Sequence, residues 1–158
     1  MKAGYSSIRN IPRKVPQRRG ATAVETALVM LAFLILVFGM LELGMTVFQR
    51  NIVSHAARQG ARRAIVRGEL APPELSAWGP AAYDSPADSD HEIAQVMAPF
   101  LAGLDLSRTN IQMQWIDGNN EIDSRVRVTV TTARDPFLTF LFTDSWTLTG
   151  ESTMPIAH

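Results

Sequence analysis

Residues 26–41 read TALVMLAFLILVFGML, a run without a single charge between Glu25 and Glu42. At 1.5 Å per residue such a helix covers roughly 24 Å, less than the ~30 Å hydrocarbon core of a bilayer. A membrane span therefore has to approach or include one of the two acids. A span of 21–41 reaches roughly 31 Å, with Glu42 at the outer interface and Glu25 inside the inner leaflet. A span shifted outward leaves Glu25 among headgroups beside Arg18 and Arg19. Spacing alone leaves both positions open. An acid held inside hydrocarbon costs about 2.5–3.5 kcal/mol on insertion scales, so it calls for a partner or a function.

Charge is distributed unevenly around this run. The chain has 15 acidic and 15 basic residues. Lys2, Arg9, Arg13, Lys14, Arg18 and Arg19 precede Ala21 with no acid among them. A basic head, an apolar run and an acidic remainder describe a membrane-inserted chain with a cytoplasmic N-terminus, its body outside. A nucleic-acid binder would instead cluster its bases on one face of a folded domain. Cysteine is absent, which excludes disulfides and thiolate metal sites. Residues 1–20 read as a basic cytoplasmic leader, 21–48 as the transmembrane helix, and 49–158 as an outer stalk helix with a small domain.

No proline interrupts the chain between Pro16 and Pro72, so residues 21–67 are expected to form one helix, stopping at Gly68. Val53, Ala56, Ala57, Gly60, Ala61 and Ala64 recur at helical spacing and make a face of small side chains that permits close packing. Residues 69–90, rich in proline and aspartate, are expected to be a loop. Ser89 to Glu92 has capping-box spacing and opens a short helix that Pro99 should split. Asn110–Ile116 and Arg125–Thr131 alternate around the turn signal at 117–120, and Ser145–Met154 gives a third strand. The predicted architecture is α+β: a long N-terminal helix packed on a three-stranded antiparallel sheet. The Pro136 loop carries Phe137, Leu138, Phe140, Leu141 and Phe142. Buried, these cover the sheet; exposed, they form a protein contact.

No catalytic constellation stands out. His55, His91 and His158 lack ligand spacing. Asp88, Asp90 and Glu92 imitate the start of a calcium loop, but Ile93 and Pro99 stand where glycine and the closing glutamate belong. No enzyme activity, cofactor, metal, nucleic acid or small-molecule substrate is expected.

Three ordered segments carry a resemblance. Arg18-Arg19-Gly20-Ala21-Thr22-Ala23-Val24-Glu25, Phe38-Gly39-Met40-Leu41-Glu42-Leu43-Gly44 and Ala56-Ala57-Arg58-Gln59-Gly60-Ala61-Arg62 resemble the TadE/TadG-like minor pilins (pseudopilins) of tight-adherence pilus systems. Thr26 departs from the aromatic residue that related pilins often carry after the glutamate. The resemblance implies a pilin-like fold and cleavage by a prepilin peptidase between Gly20 and Ala21. It also implies that Glu25 pairs in the membrane with the new amine of a neighbouring subunit. Glu42 and Gly60 are the candidate interface residues. Other pilins, an inner-membrane assembly platform and the lipid bilayer are the implied partners. The alternative is an unprocessed, signal-anchored periplasmic binding domain.

Overall fold

A computed structural model of the chain describes residues 19–139 and 144–157; the leader before Arg19 and the Phe140, Leu141 and Phe142 part of the loop lie outside them. The chain divides into two units, one ending at Val37 and one running from Phe38. Helix α1, Arg19–Ala64, supplies the described part of the first unit and opens the second. It stops at Ala64, before the expected Arg67. There the Arg67 N–H donates to the Ala64 carbonyl at 3.0 Å, and the Trp78 N–H to the Arg67 carbonyl at 2.7 Å, so the chain leaves through a tight turn.

The second unit is α+β, and its sheet has four antiparallel strands where three were expected: β1 Tyr83–Pro86, β2 Thr109–Trp115, β3 Arg125–Arg134 and β4 Trp146–Pro155, ordered β1-β2-β3-β4. The added strand β1 falls inside the predicted loop. Tyr-Asp-Ser-Pro carries no apolar alternation, and its pairing is supported by polar side chains instead. The Asp84 carboxylate accepts from Asn110 Nδ2 at 2.6 Å and Gln112 Nε2 at 3.3 Å. Pro86 is tolerated because β1 lies at the sheet edge.

The predicted strand faces hold. Ile111, Met113, Val126, Val128 and Val130 are fully buried, with Met113 opposite Val128. Between β1 and β2 runs helix α2, Glu92–Met97, followed at Pro99 by a 3-10 turn, Ala98–Leu101. Its cap is not Ser89. The His91 ring nitrogen Nδ1 accepts from the Ile93 N–H at 3.2 Å, and Ser89 pairs with the Tyr83 hydroxyl. Glu92 is drawn away from a capping role by Arg67 and Ser76. These two partners, the Ser76 hydroxyl first, hold its carboxyl below the usual range.

Val53, Ala56, Ala57 and Ala61 of α1 are fully buried in the same core as the sheet. At Gly150 on β4 an added Cβ would lie 2.8 Å from backbone atoms of Val53 and Ser54. Strand and helix backbones touch there with no side chain between them.

Gly150→Ala should therefore destabilise the body by about 1–3 kcal/mol, since rigid backbone must move. Gly60→Ala should cost less: its nearest neighbours are the flexible end of Met97 at 2.8 Å and a Val128 methyl at 3.0 Å. Thermal unfolding of the full chain in detergent micelles ranks the two variants. A second prediction concerns the β2–β3 turn. Asp117 accepts from the Arg125 guanidinium at 2.7 Å and its backbone N–H at 2.8 Å, which lowers its carboxyl from 3.8 to about 2. A depressed carboxyl stabilises above its unfolded value, and that contribution is lost as pH falls through the folded value. Asp117→Asn should be less stable than wild type at about pH 5, and the gap should close by about pH 2.

Candidate processing site and membrane-proximal ion pair

The residues singled out in the sequence fall at separate places. Gly20 and Ala21 lie in the first turn of α1, exposed, where the leading N–H groups of a helix have no intrahelical acceptor. A Cβ at Gly20 would meet nothing within 4 Å. No contact in the described structure accounts for glycine at this position. Glu25 is exposed one helical turn after Ala21, on the same side of the helix.

Glu42 is different. Its side chain is 2 % exposed and turns towards the end of the sheet. There the Arg134 guanidinium, at the end of β3 and also buried, approaches Oε1 to 2.8 Å, within ion-pair distance though off the hydrogen-bond direction. The Phe137 N–H donates to Oε2 at 2.8 Å. Arg134 also donates to the Thr46 hydroxyl at 2.5 Å and to the Glu42 carbonyl at 3.5 Å, and the Phe137 ring lies 5.7 Å from its Cζ. A helix acid, a strand arginine and a loop N–H thus close one buried polar knot. Gly60 is buried inside the same unit, against Met97 and Val128.

Arg134 was not singled out in the sequence, although a signal for it existed. Val126, Val128, Val130, Thr132 and Arg134 share one parity on β3, and all five are buried. An arginine at an inward position needs an acid, and Glu42 is the acid that α1 presents. A second buried arginine, Arg67, ion-pairs with Glu92 and stacks 4.3 Å from the Trp78 ring. Among the described residues no three His, Asp or Glu side chains converge on a metal position.

The Gly20–Ala64 helix is long and apolar enough to cross a membrane, with mean hydropathy 2.5 over its most apolar window. The family model TadE, TadE-like protein, matches residues 20–62. No curated protein and no solved structure matches.

Removing one member of a buried ion pair leaves the other charge uncompensated, at a cost of about 3–5 kcal/mol. Glu42→Leu and Arg134→Met should each fall in that range by chemical unfolding of the full chain in micelles. The double variant should recover much of the loss, because no bare charge remains. Equal loss in the double and single variants would show that the knot's hydrogen bonds, not charge compensation, hold this end of the sheet.

Proposed function

We propose, from the TadE-like character of residues 20–62, that the chain is a minor pilin or pseudopilin of a tight-adherence pilus or a related secretion apparatus. The family match carries this reading. It begins at Gly20, one residue into the described part of α1, and takes in the apolar run.

In this reading the chain enters the inner membrane as a single-pass precursor. The six-base leader stays cytoplasmic and the sheet domain faces the periplasm. A prepilin peptidase cuts after Gly20 and exposes the Ala21 amine. Glu25 of a neighbouring subunit then meets that amine at the membrane face, where an opposite charge offsets the carboxylate's desolvation. The role is structural, without catalysis or cofactor. The partners are other pilins and the assembly platform in the bilayer. The exposed Gly20 and Glu25 support the reading, since each is open to a second molecule.

The N-terminus of the mature protein tests it. Mass analysis from native membranes should find Ala21 first; Met1 would favour the unprocessed, signal-anchored alternative. Gly20→Trp should leave the full-length precursor. Glu25→Ala should be cleaved but lose co-purification of partner pilins. Normal cleavage and normal partner recovery in Glu25→Ala would reject the pairing mechanism.

A further inference from the structure

The surface of α1 beyond Glu42 changes character abruptly. Leu43, Gly44, Met45, Val47 and Phe48 are all exposed, and at 3.6 residues per turn they occupy an arc of about 200°. Thr46 and Gln49 point to the remaining side, with Glu42, and are half-buried. Over the next three turns the middle of the same arc carries Asn51, His55, Arg58 and Arg62, also exposed, while Ser54 and Ile52 towards its edges are half-buried. A helix that packs on a partner shows an apolar stripe of roughly 100°. An arc twice that width, giving way beyond Phe48 to exposed polar side chains along its centre, marks a boundary between two solvents.

The base of the sheet lies on the apolar side of that boundary. Phe137 is 75 % exposed, yet its N–H is fixed to Glu42, about 9 Å along the helix axis from Phe48. Trp146 is half-buried and sits opposite Arg134 in the β3–β4 register, at the same end of the sheet. Tryptophan is enriched where an apolar layer meets water. The one charge on α1 between Thr26 and Gln49 is Glu42, and it is sealed against Arg134. Asp135 and Arg108, exposed beside this base, hold each other by two hydrogen bonds of 2.7 and 3.0 Å, a pair suited to headgroup depth but not to hydrocarbon.

We infer that the Leu43–Phe48 arc and Phe137 form an apolar collar set in the outer interfacial layer of the bilayer, so that the sheet domain rests directly on lipid. The headgroup regions add about 5–8 Å on each side of the hydrocarbon, comparable to the distance from Glu42 to Phe48. The inference rests on the membrane-spanning reading of the preceding run.

The chain has no cysteine, so single cysteines report cleanly. Val47→Cys and Phe137→Cys test the collar, Arg58→Cys marks water, and Leu31→Cys marks the span. Each full-length variant is reconstituted in phosphatidylcholine vesicles and reacted with a charged maleimide on both faces. Val47→Cys and Phe137→Cys should react about tenfold more slowly than Arg58→Cys, as for a thiol raised by about one pKa unit in apolar surroundings. A fluorophore at either collar position should be quenched by lipids spin-labelled near the headgroup. Labelling as fast as at Arg58→Cys would overturn the collar. Slow labelling without lipid quenching would overturn it too, in favour of a second protein chain on this surface. Failure of deep-labelled lipids to quench Leu31→Cys would reject the span itself, a separate result.

Discussion

Everything in the second unit depends on how closely one strand backbone lies against one helix backbone. Gly150 has no room for a Cβ over Val53 and Ser54, and the helix offers alanines at 56, 57 and 61 on either side of Gly60. The apolar bulk of the core is therefore moved elsewhere. Met97, Leu101, Ile111, Met113 and Ile156 are the large side chains that fill it, contributed by the sheet, the elements around α2 and the segment after β4. The helix supplies a flat, small surface and the sheet domain supplies the volume. Such a division leaves the rest of the helix free of the core's demands, because the packing face asks little of the remaining sequence.

Along β3 the buried positions change from Val126, Val128 and Val130 to Thr132 and then Arg134. Thr132 accepts from the Thr109 hydroxyl at 2.9 Å, and Arg134 meets Glu42. The core thus turns polar towards the end of β3 that meets Glu42. Association there is directional: it requires a particular acid at a particular height on α1. An all-aliphatic end would slide along an equally aliphatic helix. A buried ion pair adds little net stability, and fixing a register is the role for which such pairs are best attested.

The long helix, the three main strands and their inward faces were legible because each rests on local periodicity over seven or more residues. What stayed hidden was non-local. Strand β1 is polar and four residues long, and only its partner Asn110–Met113 makes it a strand. The cap of α2 passed from Ser89 to His91 because Glu92 is engaged by Arg67, 25 residues away in sequence. Of the candidate site, Gly20 and Glu25 were visible as a local motif. The partner of Glu42 was not, because reading β3 as ending at Thr131 cut the alternation before it reached Arg134.

The polar knot also imposes an order on synthesis. Glu42 and Arg134 are 92 residues apart, and Gly150 follows later still. At about 5–20 residues per second, Glu42 leaves the ribosome roughly 5–20 s before its arginine exists. Through that interval the helix has an acid with no cation from its own sheet, and the closest backbone contact of the core awaits β4. The second unit cannot form piecemeal from its first half. A chain cut short before β3 ends is left with an uncompensated carboxylate at Glu42 and an uncovered alanine face on the helix.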